Sequence, residues 1–138
     1  MPVNTQFSIA VHIMAGLGYY AGTDATSSQL ANSVNTSPSF VRRVLAKLSK
    51  AKLVHTTTGK MGSCSLAKKP KEISLLDIYK AVDPPKAFAI HDYPEQKACM
   101  VSCAIKSTLA TVRDKTQNSL EKCLGEISLA DVIKDLPR

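Results

Sequence analysis

Apolar positions along the chain recur mainly at intervals of three and four residues, which predicts a mainly α protein. The first such stretch, residues 5–17, has apolar side chains over one broad face and is predicted to form a buried helix. Gly16 and Gly18 are expected to help end it. Further helices are predicted over residues 28–33, 38–51, 75–82, 100–124 and 129–136.

The helix predicted at 38–51 has two clearly different faces. Ser37 is placed to cap it, and Pro38 occupies the first helical position, where no backbone donor is lost. The core face follows the helical repeat and consists of Val41, Val44, Leu45 and Leu48. The outward face carries Ser39, Arg42, Arg43, Ala46, Lys47 and Lys50, with Arg42 on its flank. A short helix, a break at Asn35 and Thr36, and a capped helix with a basic outer face predict a helix-turn-helix.

Alternating, β-branched residues directly after this helix predict a two-stranded hairpin. Residues 53–58 and 63–67 form the two strands, and the glycine-containing segment 59–62 forms the turn. A hairpin in this position is a wing. Lys60 at its tip is expected to lie beside phosphate or to enter the minor groove.

The last third of the chain is predicted to be helical and to mediate dimerisation. A narrow stripe of small and branched residues on the helix at 100–124 suits close packing against the same helix of a second subunit. The predicted dimer interface comprises Val101, Ile105, Thr108, Val112 and Leu120. We therefore predict a winged helix-turn-helix domain at 1–83, a connecting loop at 84–98 and a helical dimerisation region at 99–138.

Positive charge is concentrated in one segment. The chain has a net charge of +7, and no Lys or Arg precedes Arg42. Nine basic residues and no acidic residue occur between Arg42 and Lys71, whereas the remainder of the chain is net negative. Such a block is typical of a surface that binds a polyanion, although a solvated basic surface without a partner has the same signature.

Composition and motifs weigh against several other classes of protein. The sequence shows no glycine-rich phosphate loop, no paired carboxylates and no Ser-His-Asp or Cys-His arrangement, so we predict that it is not an enzyme. It shows neither a signal peptide nor an apolar run of the roughly 20 residues that a membrane helix needs. We expect a cytoplasmic protein that does not contact membranes, with its four cysteines as reduced thiols.

A longer motif makes the assignment more specific. The segment GKMGSCSLAKKPKEISLLDIYKAV, residues 59–82, resembles the signature of the Rrf-two (Rrf2) family of winged-helix transcription regulators, the IscR/NsrR/CymR family. The upstream segment FVRRVLAKLSKAKLV resembles the recognition helix of that family, and the resemblance covers nearly the whole chain. The matching positions are Gly59, Gly62, Leu66, Ala67, Lys68, Pro70, Ile73, Ser74, Leu75, Asp77, Ile78, Ala81 and Val82.

The resemblance implies a dimeric bacterial regulator, more often a repressor than an activator, whose long helix pairs across a two-fold axis. By position it places Ser37, Ser39, Arg42 and Arg43 where the recognition helix enters the major groove, and Gly59 and Lys60 at the wing tip. Three positions depart from the family pattern: Thr58 replaces an arginine, Ser63 a glycine and Cys64 a tyrosine. Lys60 can replace the missing arginine as a charge but not as a bidentate donor.

The cysteines leave three interpretations open. Cys99 and Cys103 lie near the start of the long helix, where the helix dipole favours thiolate, so they are the redox candidates. Cluster-binding members of the family carry three closely spaced cysteines, sometimes with a nearby histidine. Here Cys123 would be about 30 Å from Cys103 on a continuous helix, and His91 lies upstream. We therefore predict no bound cofactor or metal, keep an iron–sulfur cluster as an alternative, and note that all four thiols could serve packing alone.

The sequence as a whole predicts a sequence-specific, double-stranded-DNA-binding transcription regulator. We expect a homodimeric repressor on a pseudo-palindromic operator, with cysteine thiols as a redox input and an unidentified effector. Arg42 and Arg43 are the candidates for base contacts. The candidate phosphate contacts are Lys47, Lys50, Lys60, Lys68 and Lys69. The alternatives are an iron–sulfur-sensing regulator and a winged-helix module for protein or RNA contacts.

Overall fold

A computed structural model describes residues 4–20, 25–57 and 63–137. Most of this part of the chain is helical. The helices are α1 (Gln6–Tyr19), α2 (Ser27–Val34), α3 (Pro38–Lys50), α4 (Leu75–Val82), α5 (Met100–Gly125) and α6 (Leu129–Lys134). The strands β1 (Val54–Thr56) and β2 (Cys64–Leu66) form one antiparallel pair, and Pro70–Glu72 adds a short 3₁₀ turn. The mainly α fold with a small β hairpin is confirmed.

The chain divides into two compact units. The first comprises the residues up to Pro84 together with Leu124 and beyond, and the second comprises Pro85–Cys123. Residues 124–137, which the sequence places in the predicted dimerisation region, therefore pack with the winged helix within the chain. The antiparallel bridge between Ser74 and Ser128 holds them there, through hydrogen bonds from Leu75 N to Ile127 O at 2.8 Å and from Leu129 N to Ile73 O at 2.7 Å.

The core of the first unit is built from aliphatic side chains of every helix in it. The predicted inner face of α3 is fully confirmed, since Val41, Val44, Leu45 and Leu48 are all buried. The other large side chains with almost no exposure are Ile13, Met14, Ile73, Ile78, Val82 and Leu129. Burial of these side chains fixes the orientation of α3 and leaves its basic face towards solvent.

Helix α1 differs from its prediction at its end. It runs through both glycines to Tyr19, where the absence of a side chain on Gly18 leaves room for Ile133 of α6 to pack against the helix. His12 of the same helix is exposed, and its Nε2 shares a hydrogen bond of 2.9 Å with Ser33 Oγ of α2. Both contacts join elements that are far apart in the sequence.

The second unit consists of an extended segment followed by α5. The predicted irregular connection is confirmed in that residues 84–98 contain neither helix nor strand. Gln117, buried on α5, accepts a hydrogen bond from Ala87 N at 2.9 Å, and Ser102 Oγ accepts one from Gln96 N at 2.8 Å. Lys106 Nζ donates to Tyr93 O. These bonds hold the segment along the helix within this unit.

Candidate nucleic-acid interface

The turn between α2 and α3 is fixed by local hydrogen bonds. Thr26 caps α2 in a reciprocal box with Gln29, so two backbone donors are satisfied at its start. Asn35 ends the helix in the left-handed conformation at φ 68°, and the amides of Asn35 and Thr36 both donate to Ala31 O. Three residues therefore redirect the chain from α2 into α3, as a helix-turn-helix requires.

The start of α3 carries the first two predicted site residues. Ser37 is exposed, and its Oγ accepts a hydrogen bond from Phe40 N at 3.3 Å, so its hydroxyl caps the helix. Ser39 is exposed two residues further on, and its Oγ accepts a hydrogen bond from Arg42 Nη2 at 3.4 Å. This bond orients the Arg42 guanidinium along the first turn of the helix.

Arg43 is oriented by an aromatic side chain of the same helix. Its guanidinium carbon lies 5.1 Å from the centroid of the Phe40 ring, within the range of a cation–π contact. Phe40 is itself half-buried against the core, so the ring is a fixed support. Arg43 remains exposed and presents several N–H donors to solvent.

The second half of the basic face consists of lysines. Lys47 and Lys50 are both exposed, and Lys47 Nζ donates to Gln6 Oε1 of α1 at 2.6 Å. Lys68 and Lys69 are exposed after β2. The predicted division of α3 into an aliphatic inner face and a basic outer face is therefore present in the structure.

The wing is described at its base only. β1 and β2 pair in the register Val54 with Leu66 and Thr56 with Cys64, and Cys64 also exchanges two backbone hydrogen bonds with Ala25, at 2.7 and 3.2 Å. The predicted contacts at Gly59 and Lys60 lie outside the described residues. Cys64 is buried, in keeping with its predicted packing role.

The redox candidates lie together at the start of α5. Cys99 and Cys103 are exposed, and Cys99 Sγ accepts a hydrogen bond from Ser102 N at 3.4 Å. Cys103 Sγ donates to Gln96 O at 3.6 Å. Cys123, at the other end of the helix, is also exposed.

A resident metal or cluster would need more ligands than these two thiols. Within the described ranges, no three His, Cys, Asp or Glu side chains are grouped closely enough to hold a metal ion. Among the described residues, a single chain therefore groups no ligand set for an iron or iron–sulfur site.

The predicted dimer stripe is incompletely covered within the second unit. Val101 and Val112 are 68% and 45% exposed, Thr108 is exposed, and Ile105 and Leu120 are half-buried. Thr108 Oγ1 donates to Ala104 O at 3.2 Å, which satisfies the hydroxyl inside its own helix. The stripe thus presents largely apolar surface despite its hydroxyl residues.

Two supporting residues were missed by the sequence reasoning. The i, i+3 spacing of Phe40 and Arg43 is a signal that could have indicated their contact. No local signal exists for Gln6, because it reaches Lys47 across 41 positions of the chain.

The wing, the turn and the exposed basic face of α3 together define a winged helix-turn-helix, DNA-binding transcription regulator. Comparison with known proteins assigns the family. The family model described as Rrf2, iron-dependent transcriptional regulator, matches residues 3–135. The chain therefore belongs to the Rrf2 family, whose members are transcription regulators and not enzymes.

Individual relatives agree with this assignment. YwnA of Bacillus subtilis, named as an HTH-type transcriptional regulator, is 36% identical over 136 residues, which cover 97% of this chain and 98% of YwnA. A crystal structure of a protein described as DNA-binding is 33% identical, with a TM-score of 0.72, and the match covers 93% of this chain and 98% of that one. The IscR structure from T. potens is 25% identical, with a TM-score of 0.70, and the match covers 98% of this chain and 88% of IscR.

None of the helices in the described part of the chain is long and apolar enough to span a membrane.

Proposed function

We propose that the protein is a homodimeric, cytoplasmic repressor that recognises a pseudo-palindromic operator. The observation that carries the proposal is the arrangement at the start of α3, where Arg42 and Arg43 are exposed and each is oriented by a neighbour on the same helix. An oriented guanidinium can donate two hydrogen bonds to guanine in the major groove. Each subunit would read one half-site in this way.

The lysines on the same face would supply affinity without sequence preference. Ammonium groups at Lys47 and Lys50 suit phosphate contacts, which release counterions and make binding depend on salt. Ser37 has a structural role as the cap of α3, so its contribution to DNA binding would be to position the helix start. Ser39 would act through its bond to Arg42.

The surface of α5 supports the proposed dimer. Val101 and Val112 of the predicted stripe are exposed and Ile105 and Leu120 are half-buried, so the rest of the unit covers the stripe only in part. A two-fold pairing of these helices would bury the stripe, and dimeric helix-turn-helix proteins read half-sites about one turn of DNA apart, at roughly 34–36 Å. Repression is the mode that the family resemblance favours.

The experiment that tests this function is selection of binding sites from a random duplex library by the purified protein. We expect an inverted repeat to be enriched. Arg43→Ala should remove discrimination at one base position of each half-site by about 1–3 kcal/mol. Lys60→Ala should instead weaken binding to all duplexes alike. Retained selectivity in Arg43→Ala would show that α3 is not the reading helix.

We further propose a thiol-based input at Cys99 and Cys103. Both side chains are exposed, and Cys99 Sγ accepts a hydrogen bond from the backbone N–H of Ser102 at 3.4 Å. Attack of the Cys99 thiolate on a hydroperoxide would form an S–O bond, break the O–O bond and release, after protonation, an alcohol or water. Condensation of the sulfenic acid with the Cys103 thiol would then form a disulfide and release water.

A further inference from the structure

An open pocket of about 440 Å³ lies where α3 and α4 end side by side. Lys47 and Lys50 come from the last turn of α3, and Lys80 from the last turn of α4. Asp83, the residue after α4, completes the rim. Lys80 lies outside both the helix-turn-helix and the wing, and it is not among the predicted DNA contacts.

The charges around this pocket are unequal. Three lysines and one aspartate line it, and all four side chains are exposed. Hydrogen bonds hold two of the lining residues in place. Lys47 Nζ donates to Gln6 Oε1, and the amide of Asp83 donates to Tyr79 O at 3.0 Å. Asp83 itself has the left-handed conformation, with φ at 46°. The pocket is therefore a net positive concavity with a defined rim.

Helix dipoles explain only part of this arrangement. A lysine in the last turn of a helix is stabilised by the partial negative charge of that end. This effect accounts for each lysine on its own helix, but it does not require the lysines of two helices to line one concave surface. Like charges placed around a common cavity repel each other unless an anion lies between them.

We propose that Lys47, Lys50 and Lys80 form a single phosphate-binding site, and that its ligand is a backbone phosphate of the bound duplex. The proposal rests on the DNA-binding role of α3, because two of the three lysines belong to that helix. It makes Lys80 a DNA-contacting residue and extends the contact surface from α3 to the end of α4. The ligand chemistry is that of a phosphate ester, which a small phosphorylated molecule also offers.

The first test measures how affinity for a mixed-sequence duplex depends on salt, by fluorescence anisotropy. Loss of one phosphate contact makes the slope of log affinity against log salt shallower by about 0.9. Because Lys47 and Lys50 remain at the shared phosphate in Lys80→Ala, we expect its slope to become measurably shallower by less than this value. The full change would make the loss of affinity between 50 and 200 mM salt about threefold smaller than for the wild type. Lys80→Arg should keep the wild-type slope.

Lys134→Ala is the matched control, because Lys134 is an exposed lysine on α6 and its removal changes net charge equally. If Lys134→Ala changes the slope as much as Lys80→Ala, the effect comes from net charge and the site is refuted. Thermal unfolding should show that Lys80→Ala stays folded.

A double variant tests whether the lysines share one phosphate. Lys47→Ala combined with Lys80→Ala should lose less binding free energy for the duplex than the two single variants lose in sum, since one phosphate is shared. Fully additive losses would refute a single shared site.

The second test uses inorganic pyrophosphate without DNA. Amide NMR shifts at Ala51, Ala81 and Asp83 should move in the wild type and not in Lys80→Ala. The two tests separate failure of the proposed function from failure of the phosphate site. If the wild type binds no duplex, the proposed function fails. Pyrophosphate shifts at these amides in such a protein would then indicate a site for small phosphorylated ligands. Absence of both the pyrophosphate shifts and the change in salt slope would overturn the site itself.

Discussion

At the scale of single residues, three of the side chains that we propose to face DNA are each held by one neighbour. Ser39 positions Arg42, Phe40 supports Arg43, and Gln6 accepts from Lys47. Such contacts reduce the rotamer freedom that each long side chain would lose on binding. The recognition surface is therefore partly organised before DNA arrives.

The two glycines of α1 should respond oppositely to alanine. A Cβ on Gly16 would meet nothing within 4 Å, whereas a Cβ on Gly18 would meet Ile133, with Leu66 and Pro70 at 3.4 Å. Gly16→Ala should raise the free energy of unfolding by about 0.5–1 kcal/mol through helix propensity. Gly18→Ala should lower it by up to about 2 kcal/mol, because overpacking exceeds that gain. Urea denaturation of both variants checks the order, and equal effects would contradict the close α1–α6 packing.

Asp131 should make stability depend on acidity. Hydrogen bonds from Ser128 N, at 2.9 Å, and from the Ser128 side chain lower the pKa of Asp131 below its usual value of 3.8. Because the folded state prefers the charged form, this stabilisation is complete above the unfolded pKa. It is lost as the pH falls through the lower, folded pKa.

The measurement is the free energy of unfolding between pH 7 and pH 2. Asp131→Asn keeps an oxygen that can accept from Ser128 N but cannot titrate, so its stability should fall less with acidification than that of the wild type. Asp135→Asn, at the other end of α6, removes the same charge as a control. Identical acid profiles for the wild type and Asp131→Asn would contradict the assigned role of the cap.

At the scale of elements, α4 and α6 begin in the same way and beside each other. Ser74 with Asp77, and Ser128 with Asp131, form reciprocal capping boxes, and the two serines bridge in antiparallel fashion. Each box satisfies two backbone donors that would otherwise lack partners at a helix start. The paired caps therefore tie the end of the chain to the winged helix.

The long helix α5 offers the sharpest test of dimerisation. Val112→Glu would place a charge in the proposed apolar interface, at a cost above about 2 kcal/mol, or about 30-fold in the dissociation constant. Sedimentation should show dissociation to monomers, while circular dichroism keeps its helical signal. Asn118→Glu adds the same charge at an exposed position off the stripe and should remain dimeric. A dimeric Val112→Glu would exclude this stripe as the interface.

At the scale of the whole molecule, the proposed DNA-reading face and the proposed redox input lie in different units. The basic face of α3 belongs to the first unit, and both redox candidates belong to the second. Under the proposed redox input, a signal at Cys99 would have to reach α3 either along the chain that joins the two units or through a change in the proposed dimer. A covalent change at the start of α5 can bias either route.

Oxidation should release the operator in a cysteine-dependent way. We expect hydrogen peroxide to weaken binding of the selected duplex at least about tenfold, or about 1.4 kcal/mol, and dithiothreitol to restore it. Cys99→Ser should be insensitive to peroxide, whereas Cys123→Ser, which removes another exposed thiol, should respond like the wild type. Equal sensitivity of Cys99→Ser and the wild type would refute the switch.

The visible spectrum tests the cluster alternative. Anaerobically purified protein should be colourless, and a charge-transfer band in its spectrum would instead indicate a bound cluster.

The sequence by itself determined the local features of this protein. The bounds of α3, its Ser37 cap, its aliphatic inner face and the caps of α4 and α6 depend on residues within four positions of each other, where periodicity and capping rules apply. The long motif at 59–82 determined the family in the same way, as a contiguous pattern.

Only the tertiary structure decided which distant residues meet. In the structure α1 continues past Gly16 and Gly18, with Ile133 of α6 packed against Gly18. Hydrogen bonds connect His12 with Ser33 and Lys47 with Gln6. It also brought Lys80 to the lysines of α3 around one pocket. These contacts join positions 21 to more than 100 residues apart, and they exist only because the shared core fixes the helices side by side. The residues near each contact partner in the sequence do not indicate which distant residue it will meet, because they are the same as at any other position of a helix.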